Sequence, residues 1–192
     1  TVKQSITHRI CAIGVFIGCA WIEYSDLTPR SLNELGSAYS ATASALSVAS
    51  GRVSFCFDLR GPSMSIDTAC SSSLVAMHLG AKSCNQDECS ASLVCGVNLI
   101  LLSRTTEIFQ RAGMLSRDGR CKTLDSTADG YVRSEGCEVL HLIRGYDGLH
   151  TVIVSGSAVN QDGRSSSLTA PNGPSQRVVI ETALENACAD AC

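Results

Sequence analysis

The chain has 192 residues, a formal net charge of −3 and a hydrophobic fraction of 44%. This length suffices for one domain with a substantial core or for part of a larger domain. Its basic residues are scattered and form no block, which argues against binding to nucleic acid or to an anionic membrane. Aromatic residues make up only 5% of the chain, so an aromatic binding surface is not indicated either.

Cysteine is unusually frequent, with 11 residues in the chain. An odd count leaves at least one thiol unpaired, and several cysteines stand in apolar runs, where a free thiol behaves as a small hydrophobic side chain. The sequence contains no Cys-x-x-Cys, and no histidine stands at ligand spacing from a cysteine pair. We therefore expect a reducing compartment, the cytoplasm, and no structural zinc site. A targeting segment upstream of Thr1 would instead direct the protein to a plastid.

The first half of the chain predicts one strand and two helices. Residues 10–22 form an apolar run that is too short to span a membrane. No signal-peptide cleavage pattern follows the run, which therefore predicts a buried strand and a turn. Residues 37–50 predict a helix that ends at Gly51. Residues 74–84 carry apolar side chains on nearly all sides, which predicts a helix buried between layers.

Three further strands are predicted in the second half of the chain. They cover residues 93–102, 139–143 and 151–159, and a glycine-containing turn at 144–148 joins the last two. Near-continuous apolar runs are typical of strands that are covered on both faces. Such strands alternating with helices indicate an α/β sheet.

Cys70 is the residue with the strongest chemical signal. A short extended segment ends at 67–69 and a helix begins near Cys70, so the cysteine is predicted at a sharp strand-to-helix turn, as in nucleophile elbows. The N–H groups and the dipole at a helix N-terminus favour a thiolate and can stabilise an oxyanion on an attached thioester. Cys70 is therefore the predicted nucleophile. The alternative is that it is one more buried cysteine.

The residues around Cys70 resemble the active-site signature of β-ketoacyl synthases. The resemblance is clearest at residues 67–73, which read Asp-Thr-Ala-Cys-Ser-Ser-Ser. It is closest to the ketosynthase domains of type I polyketide synthases. Further similar segments follow in the family's order over most of the chain, at 14–18, 45–55, 58–63, 96–101, 112–123, 125–136 and 156–176.

The resemblance implies an α/β, thiolase-like fold, in which this chain forms one βαβαβαββ half of a layered α/β/α/β/α architecture. It implies an acyltransferase in which Cys70 takes an acyl chain from the phosphopantetheine arm of an acyl carrier protein. A malonyl-type thioester then loses carbon dioxide and condenses with the Cys70 thioester, in polyketide or fatty-acid biosynthesis. The resemblance implies no bound cofactor or metal, and a homodimer for the complete domain.

Two family histidines that assist decarboxylation lie in the motifs His-Gly-Thr-Gly-Thr and Asn-x-Gly-His, and neither motif occurs in this sequence. We expect His78 to be a packed helix residue, and His141 and His150 to be structural or exposed. Residues 1–192 are thus interpreted as a partial domain, its N-terminal half truncated at both ends, and expected to be inactive by themselves. A non-catalytic scaffold or dimerisation piece is the main alternative. A thiolase-type enzyme acting on coenzyme A thioesters is disfavoured by residues 160–176.

Two positions depart from the family pattern. Ser134 and Cys95 stand where the family usually has glycine. A serine at a position that requires positive φ would lower local stability. Both positions lie away from Cys70, so we expect these changes to affect packing and loops.

Overall fold

The computed structural model describes residues 12–27, 39–145 and 152–189. Its strands are β1 (Ile13–Gly18), β2 (Ser63–Ile66), β3 (Ala91–Asn98) and β4 (Gly136–Ile143). Its helices are α1 (Tyr24–Leu27), α2 (Ser40–Ala43), α3 (Leu46–Phe57), α4 (Ser72–Asn85), α5 (Ser103–Arg111) and α6 (Gly173–Ala189). None of these described helices is long and apolar enough to cross a membrane.

The four strands form one sheet in the order β2-β1-β3-β4. β1 runs parallel to both β2 and β3, whereas β4 runs antiparallel to β3. Gly18 at the end of β1 pairs with Ile66 on one side and Gly96 on the other. The carboxyl ends of the three parallel strands therefore meet at one edge of the sheet, and the turn that contains Cys70 follows β2 at that edge.

Helices pack against both faces of the sheet at β1 and β2. On one face α4 packs over β1 and β3, where Phe16, Ala76 and Val94 form the buried core. On the other face α3 packs against β2, and the Ser50 backbone N–H donates a hydrogen bond to Ser65 Oγ over 3.2 Å. Successive residues of a strand point to opposite faces, which is how β2 contacts both helices. The predicted α/β sheet is confirmed.

The predicted helix end at Gly51 is wrong. α3 passes through Gly51 and continues to Phe57, and a Cβ atom at Gly51 would meet no other atom within 4 Å. The residue that ends the helix is Asp58, whose left-handed φ is 52°. The following N–H, of Leu59, bonds back to Ser54 O over 2.9 Å. The helix thus closes with an αL cap in which aspartate takes the usual place of glycine.

The predicted strand over 151–159 is also wrong for its described part, since residues 152–159 form no strand. A strand needs a neighbouring strand for its backbone hydrogen bonds, and in the described residues the sheet ends at β4. The segment instead contacts α6. Gly156 lies against the backbone of Ala183 and Ala187 with no room for a Cβ atom, and Asn186 Nδ2 donates to Ser157 O over 3.0 Å.

The other predicted elements agree with the structure in position within a few residues. Their predicted burial is wrong in two cases: Leu74 on α4 is 64% exposed, so α4 is not buried between layers, and seven of the eight residues of β4 are exposed, so β4 is not covered on both faces. The apolar run at 10–22 contains β1, and the helix predicted at 74–84 is α4. The strands predicted at 93–102 and 139–143 correspond to β3 and β4, although β3 ends at Asn98. Most of the predicted turn at 144–148 lies outside the described residues.

Candidate active site

Cys70 lies in the turn that connects β2 to α4. A single 3-10 turn, Ala69–Ser71, follows the strand and leads directly into the helix. Ala69 has a φ of 56°, a left-handed conformation that costs a residue with a side chain about 1 kcal/mol. Cys70 is exposed to solvent. The predicted strand-to-helix turn is confirmed.

The polar side chains around Cys70 hold the backbone of this turn. Asp67 Oδ1 accepts a hydrogen bond from the Ala69 N–H over 3.0 Å. Ser72 Oγ accepts from the Thr68 N–H over 2.8 Å and donates to Ala69 O over 2.7 Å. Ser71 Oγ donates to Thr68 O over 2.9 Å. Sequence analysis did not identify this role, which follows from the tendency of short polar side chains to bond to nearby backbone groups.

Two glycines allow the start of α4 to contact the sheet. A Cβ atom on Gly18 would lie 2.5 Å from the carbonyl carbon of Ser72, and one on Gly96 would lie 2.9 Å from Ser73 Cβ. Real Cβ atoms essentially never come within 3.0 Å of such atoms. The turn containing Cys70 therefore rests directly on the carboxyl ends of β1 and β3.

A cavity of about 820 Å³ opens beside Cys70. Its volume lies within the range of small-molecule sites. Trp21, Met77, Phe109 and Ser73 are among the side chains that line it, together with Cys70 itself. The cavity can therefore place an apolar chain against the cysteine sulfur.

A buried ion pair includes Arg133, one of the residues that line this cavity. Arg133 Nη2 donates to Glu23 Oε1 over 3.0 Å, and the exposed fractions of the two side chains are 8% and 4%. Burial by itself raises the pKa of Glu23. This effect is outweighed by hydrogen bonds to the carboxylate, and the pKa is lowered from 4.5 to about 2. The donors are Thr105, the Leu102 N–H, Arg133 and the Leu101 N–H. The sequence analysis did not predict this pair. The available signal was Glu23 itself, an acidic residue directly after the apolar run at 10–22.

The two histidines in the described part of the chain do not line the cavity that contains Cys70. His78 lies on α4, and its Nδ1 is 2.9 Å from Ser157 Oγ. Burial lowers the pKa of His78, and the nearby charge of Lys82 lowers it further. His141 is exposed on β4, and His150 lies outside the described residues.

The two departures from the family pattern are accommodated without backbone strain. Ser134 does not lie away from Cys70 as expected, because both residues line the same cavity. Ser134 is not among the residues with positive φ, so the predicted loss of stability does not arise. Cys95 is half-buried on β3, where burial and the neighbouring thiol of Cys137 raise its pKa to about 11. Within the described residues, no group of three or more histidine, cysteine or acidic side chains could hold a metal ion.

Two family models match the chain. They are described as Beta-ketoacyl synthase, N-terminal domain, over residues 3–148, and Beta-ketoacyl synthase, C-terminal domain, over residues 151–191. The residues from 151 onward thus match the C-terminal model, whereas the sequence interpretation placed them with the N-terminal half.

The chain is also similar to polyketide synthases. It is 49% identical over 179 residues to polyketide synthase GfsE of Streptomyces halstedii, a match that covers 91% of this chain and 5% of that protein. It is 44% identical over 188 residues to erythronolide synthase EryA3 of Saccharopolyspora erythraea, covering 95% of this chain and 6% of that protein. The chain therefore spans only a small part of the length of the curated relatives that it matches.

Solved ketosynthase domains share the fold. The oxazolomycin ketosynthase domain OzmH KS7 of Streptomyces albus superposes with a TM-score of 0.85 at 34% identity, covering 95% of this chain and 33% of that chain. The ketosynthase from module 6 of the bacillaene synthase of Bacillus subtilis 168 gives a TM-score of 0.75 at 36% identity, covering 90% and 30%. These matches confirm the predicted thiolase-like fold.

Proposed function

The chain belongs to the β-ketoacyl synthase family, and on that premise we propose that Cys70 is the nucleophile that accepts an acyl chain from a thioester. This proposal rests on the position of Cys70 in the structure. The residue is exposed, follows a left-handed turn at the start of α4, and lines a cavity of about 820 Å³. A cysteine that is both fixed in position and accessible is suited to nucleophilic catalysis.

In the acyl-transfer step, the Cys70 thiolate attacks the carbonyl carbon of a thioester on the phosphopantetheine arm of an acyl carrier protein. The new carbon–sulfur bond to Cys70 forms, the old one breaks, and the leaving thiolate takes up a proton. The backbone N–H of Cys70 has no hydrogen-bond acceptor within the residues that the structure describes. It is therefore free to donate to the oxyanion that forms during the attack.

In the condensation step, a malonyl-type thioester loses carbon dioxide and its carbanion attacks the Cys70 thioester. A carbon–carbon bond forms, the bond to Cys70 sulfur breaks, and a β-ketoacyl chain two carbons longer results. The family's two histidines assist this step, and their motifs do not occur in this sequence. We therefore propose that residues 1–192 carry out the acyl-accepting step, and we expect no condensation from these 192 residues alone.

The proposed partners are an acyl carrier protein, which delivers the chain without any cofactor bound to this domain, and a second copy of the domain. β2 is an edge strand of the sheet, with one paired neighbour among the described strands. Phe55 on α3, the helix that packs against β2, is 88% exposed, and Met64 on the strand is 42% exposed. An exposed edge strand with apolar neighbours is suited to pairing with the same strand of another copy.

Acyl loading with a small thioester tests this proposal. The native protein is incubated with hexanoyl-N-acetylcysteamine, and acylated cysteines are identified by peptide mass mapping. We expect one hexanoyl group on Cys70, none on that site in Cys70→Ala, and unchanged loading in Cys56→Ala. Cys56 is a matched control because it is also exposed but lies on α3. Absence of loading on Cys70 would contradict the proposal and would favour the non-catalytic scaffold.

A further inference from the structure

We propose that Trp21 determines which acyl chains Cys70 accepts, favouring apolar chains over chains that carry a hydroxyl group near the thioester. This inference rests on the proposed acylation of Cys70. It concerns the loop after β1, which contains Trp21 and forms one wall of the cavity.

The backbone places Trp21 beside the nucleophile. Gly18, three residues earlier, lies against the Ser72 backbone at the start of α4. The next N–H, of Cys19, donates to Ile66 O over 3.0 Å and so joins this loop to the end of β2. The loop therefore leaves the sheet next to the turn that contains Cys70, and both residues line the same cavity.

The indole ring is held in one orientation. Trp21 has a φ of 62°, a left-handed conformation that is rare for a bulky residue. Its ring meets the ring of Phe109 edge to face, with centroids 5.3 Å apart and an angle of 89° between the planes. Backbone outliers of this kind persist where the surrounding structure fixes them, and they are frequent in ligand sites.

The charge of Arg133, which lies beside Phe109 and also lines the cavity, is paired. The Arg133 guanidinium lies 5.5 Å from the Phe109 ring centroid. It donates to Thr106 Oγ1 over 2.7 Å and to Glu23 over 3.0 Å, so its charge is neutralised by a carboxylate. The wall formed by Trp21 and Phe109 therefore presents aromatic surface to the cavity.

Apolar side chains also line the cavity, together with polar ones such as Ser73, Tyr131 and Glu138, so the preference proposed here concerns the part of the acyl chain that contacts the indole. Leu74 and Met77 line the cavity from α4. Of the polar lining residues, Asn98 donates to a backbone carbonyl and Glu135 accepts from the Ile100 N–H over 2.8 Å. The face of the indole ring offers no hydrogen-bonding group, so a hydroxyl group placed against that face would lose water without gaining a partner there, which is unfavourable. An alkyl chain there would cover the indole, which is 51% exposed.

A pair of thioesters that differ by one hydroxyl group tests the inference in the native protein. Hexanoyl- and 3-hydroxyhexanoyl-N-acetylcysteamine are supplied separately, and the initial rate of Cys70 acylation is measured by mass spectrometry. We expect the hexanoyl preference to fall about 5-fold in Trp21→Ala, because an aromatic contact is lost, and to be largely kept in Trp21→Phe. Tyr24→Ala is the matched control, since Tyr24 is an exposed aromatic residue of the same segment that does not line the cavity.

The chain contains a single tryptophan, so its fluorescence provides a second readout that needs no variant of Trp21. Hexanoyl loading should shift the tryptophan emission of the wild-type protein to the blue, because the chain displaces water from the indole. Cys70→Ala should show no shift.

The two proposals fail in different ways. An unchanged preference in Trp21→Ala, or loading of Cys70 without any emission shift, would overturn the role of Trp21 and leave Cys70 as the acyl acceptor. Absence of loading with both thioesters would overturn the proposed function itself.

Discussion

The Arg133 guanidinium and the Glu23 carboxylate form a buried ion pair between residues that are 110 positions apart in the sequence. The second carboxylate oxygen of Glu23 accepts the backbone N–H groups of Leu101 and Leu102, over 2.6 and 2.8 Å. One carboxylate thus joins the loop after β1, the segment before α5 and the segment before β4 that contains Arg133. Arg133 also lines the cavity, and its guanidinium lies 5.5 Å from the ring centroid of Phe109, which contacts Trp21.

Replacement of Glu23 by glutamine should destabilise the protein strongly. It leaves the Arg133 charge buried without a counter-charge, which we expect to lower the free energy of unfolding by about 3 kcal/mol. Urea denaturation of the variant and the wild type measures this difference. Glu107→Gln is the control, because Glu107 and Arg111 form an exposed pair 3.8 Å apart whose loss should cost less than about 1 kcal/mol. Similar losses in both variants would contradict the role assigned to the buried pair.

The same carboxylate should make stability depend on pH in an acidic range. The pKa of Glu23 in the folded protein is about 2, below its ordinary value of 4.5. A pKa that is lower in the folded state means that ionised Glu23 stabilises the fold fully above pH 4.5, and that this contribution is lost as the pH falls toward 2. The stability difference between the wild type and Glu23→Gln should therefore be constant above this range and shrink within it. Urea denaturation at stepped pH tests this, and a difference that persists at pH 2 would contradict it.

Local sequence patterns were sufficient to predict the elements that position Cys70. The apolar run that contains β1, the apolar helix α4 and the turn between β2 and α4 each depend on residues close together in the chain. Hydrophobic periodicity and turn chemistry report such local preferences. For this reason the strand-to-helix turn that contains Cys70 could be predicted from the sequence.

Features that depend on distant contacts could not be predicted in this way. Nothing near Glu23 in the sequence identifies Arg133 as its partner, and nothing near Trp21 identifies Phe109. The sequence analysis placed the end of α3 at Gly51 because glycine is a common helix cap. In the structure the helix continues to Phe57 and is capped by Asp58. Whether a glycine ends a helix depends on the residues after it and on the packing of the whole helix.

Two glycines should respond in opposite ways to replacement by alanine. Gly18→Ala places a Cβ atom 2.5 Å from the Ser72 backbone, so we expect a loss of about 2 kcal/mol in the free energy of unfolding and slower acylation of Cys70. Gly51→Ala adds a methyl group where no atom lies within 4 Å. Since it replaces a glycine inside α3, it should stabilise the protein by about 0.5–1 kcal/mol. Thermal and urea denaturation distinguish these outcomes, and a stable, fully active Gly18→Ala would show that α4 does not need this contact.

The left-handed residue Ala69, directly before Cys70, should affect the reactivity of Cys70 more than the stability of the protein. In Ala69→Gly, relief of a strain of about 1 kcal/mol is offset by the greater backbone entropy that glycine has in the unfolded chain. The free energy of unfolding should therefore change little, whereas the turn around Cys70 becomes freer and acylation of Cys70 slows. The same substitution at Ala81, inside α4, relieves no strain and should lower the free energy of unfolding by about 1 kcal/mol without slowing acylation. Urea denaturation and the hexanoyl loading rate measure both quantities. If Ala69→Gly lost as much stability as Ala81→Gly while loading at the wild-type rate, the left-handed turn would not be what positions Cys70.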